Sequence, residues 1–185
     1  MTSESHESGT DRLAEVAEKM QWSDDTIVVN LQGDEPLIPP ELIKLTATTL
    51  IDASHAGMAT LGCGLQSEAE INDVNCVKLV RDSMGRAMYF SRAPIPFARD
   101  GIPTDALASV ESPWLRHIGM YAYKVGTLKQ LTAYPLAVIE GLEKLEQLRA
   151  LWNGIQIQVA VIKEVPGHGI DTQADLDRVR EIMQR

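Results

Sequence analysis

The strongest constraint on this chain is the run Thr26-Ile27-Val28-Val29-Asn30-Leu31, where β-branched and apolar residues follow one another almost without polar alternation. An alternating strand keeps one wet face, whereas a continuous run suits a strand covered on both faces, as in a parallel sheet. The run ends in Gln32-Gly33-Asp34-Glu35-Pro36, and Pro39-Pro40 then open a segment bearing Leu42, Ile43, Leu45, Leu50 and Ile51. Proline suits the first helical position, because the N–H it lacks has no partner there. Strand, polar loop and helix form half of a βαβ unit. At 185 residues the chain holds one core-bearing domain, residues 1–185, and is short for two.

The other segments fit the same plan. Ser8-Gly9-Thr10-Asp11 reads as a turn into a helix whose Leu13, Val16, Ala17 and Met20 recur at helical spacing, with Ser8, Thr10 and Asp11 as candidate caps. A second strand is expected at 57–61, trailing into Gly62-Cys63-Gly64-Leu65, and a short polar helix follows. Val77–Val80 and Ala87–Phe90 flank a turn at Asp82-Ser83-Met84-Gly85, the signature of a hairpin and hence of some antiparallel pairing. Residues 97–113 lack periodicity and read as a loop. A strand at 117–123, helices near 127–133 and 140–152 and a strand at 155–161 follow. A final helix starts at Thr172, with Thr172 and Asp175 as its capping box. The reading is one α/β domain with a mixed sheet, and neither G-x-G-x-x-G nor G-x-x-x-x-G-K-[ST] occurs in it.

Charge narrows the partners. With 17 Lys and Arg against 26 Asp and Glu the net charge is −9, which disfavours nucleic acid, since neutralising phosphates needs a basic face. An anionic small molecule remains compatible where a few basic side chains converge or a metal screens the charge. No apolar run reaches the ~18 residues of a membrane span. The polar start Met1-Thr2-Ser3-Glu4-Ser5-His6 is unlike a secretory leader, so a cytoplasmic protein without membrane partners is expected. Cys63 and Cys76, the only cysteines, have neither zinc-ligand nor disulfide-framework spacing.

Several residues have the chemistry of a site, each with a plainer reading beside it. Asp34 follows the apolar strand, where open α/β sheets bind ligands, and equally suits a simple turn. Asp171 follows a Gly-rich turn and on its own reads as a helix cap. Together they offer the hard oxygen donors that Mg²⁺ takes when substrate phosphates complete its shell. Arg92 ends an apolar strand, where its planar fork matches a carboxylate or is simply solvated. His117 opens a strand, and a lone histidine there is ordinarily a structural hydrogen-bonding group. On one helix over 140–152, adjacent Glu146 and Gln147 cannot both share the apolar face of Leu142, Leu145 and Leu148. The default for them, as for Glu143 and Arg149, is a solvated face.

Taken together, Val29-Asn30-Leu31-Gln32-Gly33-Asp34-Glu35-Pro36, Tyr89-Phe90-Ser91-Arg92-Ala93-Pro94-Ile95-Pro96 and Arg116-His117-Ile118-Gly119-Met120-Tyr121 resemble the CMP-KDO synthetase family, the 3-deoxy-manno-octulosonate cytidylyltransferases. So do Leu145-Glu146-Gln147-Leu148-Arg149 and Val165-Pro166-Gly167-His168-Gly169-Ile170-Asp171-Thr172, in register and over nearly the whole chain. The resemblance implies a Rossmann-like nucleotidyltransferase fold with a mixed, mostly parallel sheet and a β-hairpin subdomain. It also implies CTP and KDO as substrates, Mg²⁺, a homodimer built around the hairpin and the 117–123 strand, and a product used in lipopolysaccharide assembly. By motif match, Asp34 and Asp171 are the catalytic, metal-binding carboxylates. Ser8, Gly9, Thr10, Arg12 and Gln32 face the nucleotide, while Arg92, His117, Tyr121, Glu146 and Gln147 form the sugar pocket, with Arg92 on the KDO carboxylate. The family's opening strand and its phosphate turn P-A-R-x-x-S-x-R-x-P-x-K are not among these residues. The expectation is therefore that residues 1–185 alone bind nucleotide weakly and turn over no CTP. A sister sugar-acid cytidylyltransferase, acting on sialic acid, and an inactive binding or dimerisation remnant are the alternatives.

Overall fold

The computed structural model describes residues 1–3, 6, 8–33, 35–103, 106–163, 170 and 172–183, the side chain of Asp175 excepted. In chain order the elements are α1 (Gly9–Lys19), β1 (Ile27–Asn30), α2 (Pro40–Asp52), β2 (Met58–Gly64), α3 (Glu68–Asn72), β3 (Lys78–Arg81) and β4 (Ala87–Ser91). Then come β5 (Leu115–Lys124), α4 (Val125–Ala133), α5 (Val138–Glu143), α6 (Gln147–Trp152), β6 (Ile157–Ile162) and α7 (Gln173–Met183). Ser8 caps α1, its Oγ accepting the Asp11 N–H at 3.1 Å, and Pro40 opens α2 as expected. The described residues of 97–113 carry no helix or strand.

The long strand β5 organises a six-stranded sheet of order β4-β3-β5-β2-β6. β2 runs along one side of β5, while β3 and β1 share its other side at opposite ends, β3 at Leu115–Arg116 and β1 at Tyr121–Lys124. The expectation of a mostly parallel sheet holds for direction but not for pairing. β1, β2, β3 and β6 point one way, yet β5 runs against them and lies between β2 and both β1 and β3, so β2–β6 is the only parallel pair among the described residues. The antiparallel pairing of β1 with β5 is thus a correction to the parallel strand inferred from its apolar run. Its double coverage is as expected: Val28 packs into the larger core with Ala17, Leu128 and Leu131, while Ile27 and Val29 pack on Leu50, Ala53, Ala59 and Ala122 beneath α2. What the run reports is burial of both faces, and helices cover both faces here whatever the neighbour's direction.

The segment 140–152 is also corrected. It is two short helices broken at Lys144, whose φ of 55° is left-handed. The break turns Leu142 out to 78% exposure while Leu145 and Leu148 stay in the core. Glu140 bridges the break: its carboxylate accepts the Ala137 N–H at 3.1 Å and a fork from Arg149, Nε at 2.9 Å and Nη2 at 2.6 Å. Both cysteines are free and buried, and burial pushes the Cys63 thiol up to about 11, which leaves it inert.

Candidate functional site

A cavity of about 240 Å³ opens where the end of β1 meets the middle of β5 and the start of α6. Local structure explains its walls. Thr60 of β2 faces Tyr121, but the next residue, Leu61, faces Ile118, so β5 carries two extra residues in a bulge at Gly119–Met120. Bulges of this kind re-aim side chains beside sites. The Thr60 hydroxyl fills the gap, 3.1 Å from the Ile118 carbonyl and 2.9 Å from that of Met120. With its own proton given to a carbonyl, that oxygen accepts from His117 Nε2 at 3.2 Å, which fixes the histidine tautomer. Gly119 lines the cavity, and a Cβ there would meet nothing within 4 Å.

On the same face of β5 stand His117, Tyr121 and Tyr123, with ring centroids 5.3 and 5.9 Å apart, and Phe90 closes edge-on to His117 at 5.1 Å. Burial holds His117 neutral, with its pKa lowered to about 3, and pushes the Tyr121 phenol well up. Across from this row, Thr10 of α1 donates to Glu146 Oε2 at 3.0 Å. Burial raises the pKa of Glu146, while the Thr10 hydroxyl and the Arg149 charge pull it down. Three polar atoms on the cavity wall are buried and have no protein partner: Tyr121 OH, Glu146 Oε1 and Gln147 Nε2. An unpaired buried polar group costs on the order of 1–3 kcal/mol. Three around one cavity mark a place where a polar ligand can be held.

Of the residues singled out in the sequence, Thr10, Gln32, His117, Tyr121, Glu146 and Gln147 line this one cavity, and Gly9 lies against Asn30 and Gln32. Glu146 and Gln147 are not a solvated face: the break at Lys144 frees them from the helical geometry that would have separated them. Ser8 is occupied in capping α1. Arg12 is exposed and donates through Nη1 to Thr2 Oγ1 and the Ser3 carbonyl, away from the cavity wall. Arg92 is not on the wall either; Nε donates to the Glu143 carbonyl at 2.8 Å and Nη1 to that of Val74 at 2.9 Å. Asp34 and Asp171 lie outside the described residues. Sequence reasoning missed Asn30, Met58, Gly119, Tyr123 and Leu131 on the wall. Tyr123 was findable, two residues beyond Tyr121 on an alternating strand, but no local signal marks Met58 or Leu131.

The profile of a family described as Cytidylyltransferase matches residues 1–157. A 3-deoxy-manno-octulosonate cytidylyltransferase of Alkalilimnicola ehrlichii is 52% identical over 185 residues, covering 99% of this chain and 71% of the relative. One from Haemophilus ducreyi is 50% identical, covering 100% of this chain and 73% of the relative. Among solved structures, a CMP:2-keto-3-deoxy-manno-octonic acid synthetase complexed with CTP superposes with a TM-score of 0.87 at 38% identity, over 100% of this chain and 71% of the other.

Proposed function

The chain belongs to the 3-deoxy-manno-octulosonate cytidylyltransferase family, and from that membership we propose that the cavity between β1, β5 and α6 seats the sugar acid during transfer of CMP from CTP to KDO. The observation that carries the assignment of this cavity is the set of three unpartnered polar atoms, Tyr121 OH, Glu146 Oε1 and Gln147 Nε2. KDO is a polyhydroxylated acid. Its hydroxyls donate to Glu146 Oε1 and accept from Gln147 Nε2 and the Tyr121 hydroxyl. Neutral His117, with Nε2–H given to Thr60, presents Nδ1 as an acceptor. Gln32 and Thr10 border the nucleotide side together with Ser8, Gly9 and Arg12, and Arg92, off the wall with Nε and Nη1 held by the Glu143 and Val74 carbonyls, reaches the KDO carboxylate through Nη2 from the end of β4. The anomeric oxygen attacks the α-phosphorus in line, the bond to the β-phosphate oxygen breaks, pyrophosphate leaves and the hydroxyl proton is lost. Chemistry of this kind is positioning and charge neutralisation and needs no covalent nucleophile.

Asp34 and Asp171 are proposed to hold Mg²⁺, whose role when bound is to neutralise charge developing on the phosphates. Support for this pair is the sequence pattern alone, since both lie outside the described residues. No described helix is long and apolar enough to cross a membrane. A cytoplasmic location, a homodimer and a product consumed in lipopolysaccharide assembly complete the reading. The 50–52% identical relatives favour KDO over sialic acid and an enzyme over an inactive remnant. The test is pyrophosphate release, measured with the family's opening strand and phosphate turn joined ahead of residue 1, which should require CTP and KDO together; equal release with sialic acid would move the assignment to the sister enzymes. Calorimetry with KDO on residues 1–185 checks the cavity separately from turnover.

A further inference from the structure

Outside the cavity, one polar cluster ties the segment before its Glu146–Gln147 wall to the end of β4, which lies off the wall. Glu143 ends α5 three residues before Glu146, and it spends every oxygen it has on the end of β4. Oε1 accepts the Ser91 hydroxyl at 2.5 Å, Oε2 accepts the Arg92 N–H at 2.9 Å, and the carbonyl accepts Arg92 Nε at 2.8 Å. From the opposite side Lys78, fully buried, donates Nζ to the Arg92 carbonyl at 2.5 Å and to that of Asp73 at 2.7 Å. The Arg92 backbone is therefore held on both sides, and its guanidinium is anchored at Nε and Nη1, leaving Nη2 without a partner among the described residues.

We propose that Glu143 is a positioning residue for the sugar-acid subsite: by clamping Ser91 and Arg92 to the α5–α6 break, it sets Glu146 and Gln147 on one side and the free edge of Arg92 on the other at a fixed separation. The proposal rests on the reading of the cavity as the KDO site. A half-buried carboxylate between two strand-end donors is directional, so its loss releases the Ser91 hydroxyl and the Arg92 N–H and lets the end of β4 shift against the break without touching the nucleotide side.

Calorimetry at a temperature well below melting tests it, with KDO and CTP titrated separately. E143A should weaken KDO binding by about 10-fold or more and leave CTP within about twofold, the size of effect that loss of charged hydrogen bonds produces. E143Q keeps the side-chain volume but only one acceptor oxygen and should recover only part of the loss, whereas a mere packing role would predict full recovery. S91A removes the hydroxyl that donates to Glu143 and accepts the Ala93 N–H at 3.0 Å, at little volume cost, and should weaken KDO by about threefold, a readout that survives if E143A does not fold. Unchanged KDO affinity in E143Q and S91A, or parallel weakening of both ligands, would overturn the proposal. An unsubstituted protein that binds CTP but not KDO would overturn the reading of the cavity, and the proposal with it.

Discussion

Tyr121 separates stability from function. Its hydroxyl is buried without a partner, so Tyr121→Phe removes a desolvated group and should stabilise the free protein by about 1 kcal/mol, a rise of roughly 2–4 °C for a domain of this size. The same change should weaken KDO binding. A lower melting temperature would show that the hydroxyl has a structural partner. Glu146 makes a pH statement. Burial raises its folded pKa above the unfolded value of about 4.3, so the unfolded chain gives up its proton first as pH rises. Its contribution favours the fold at low pH and is lost as pH climbs from about 4.3 through the raised folded pKa. Glu146→Gln should therefore be more stable than the parent at pH 7, with the gap closing below about pH 4 in parallel melts. His117 slopes the other way: with its pKa held at about 3, its contribution is full above the unfolded value of about 6.5 and falls away on acidification toward 3. On the proposed metal role, Asp34→Asn and Asp171→Asn should each cut turnover by at least ~10²-fold, the cost of losing a charged oxygen ligand. Near-normal turnover with unchanged Mg²⁺ dependence would make either residue a turn or a cap.

Between elements, the decisive contact is the Glu140–Arg149 fork across the break. Both side chains are largely buried, 6% and 15% exposed, so Glu140→Gln leaves Arg149 without its hydrogen-bonded partner, Glu146 and Asp11 acting on it only electrostatically, and should cost about 3 kcal/mol by chemical denaturation. A loss below about 1 kcal/mol would mean the pair behaves like a surface bridge. This contact also shows where the sequence stopped being legible. Helix starts were readable because their chemistry is local: Ser8 meets the Asp11 N–H and Pro40 needs no N–H partner. The hairpin was readable from Asp82–Gly85 between two apolar runs, for the same reason. The break at Lys144 was not, because no glycine or proline marks it; Lys144 sits in a left-handed conformation that the surrounding packing and the Glu140 fork impose. The neighbours of β1 were not readable either, since an apolar run encodes covered faces and says nothing of which strand lies alongside. The site followed suit. His117, Tyr121, Glu146 and Gln147 were identified through a family resemblance, whereas the tie from Glu143 to Ser91 and Arg92, spanning about fifty residues of chain, had no sequence signal of its own.

At the scale of the molecule, the sheet itself argues for the assembly. β5 was expected to lend apolar residues to an interface, but its strand neighbours and helices already bury Met120, Tyr121, Ala122 and Tyr123 within one chain. What remains outward is the hairpin. Among the described residues β4 ends the strand order and pairs along its length only with β3, the turn before it bridging to β6 at Arg86 and Gln158, while Met84 in the turn and Met88 on β4 are each 62% exposed. An edge strand with exposed apolar side chains invites pairing with another chain, and a self-complementary edge closes most simply as a two-fold dimer. A specific interface needs roughly 800 Å² per partner, a modest fraction of the 10691 Å² this chain exposes. The expected outcome is therefore a particle of twice 20.4 kDa by light scattering at micromolar concentration. Met88→Glu places a charge at the centre of that contact without entering the core, so it should give a monomer that melts as cooperatively as the parent. A stable monomer of the unsubstituted protein would overturn the dimer. A dimer indifferent to Met88→Glu would keep the assembly but move it off the hairpin, to the other outward apolar group at Leu136, Val138 and Leu142, which are 65%, 69% and 78% exposed.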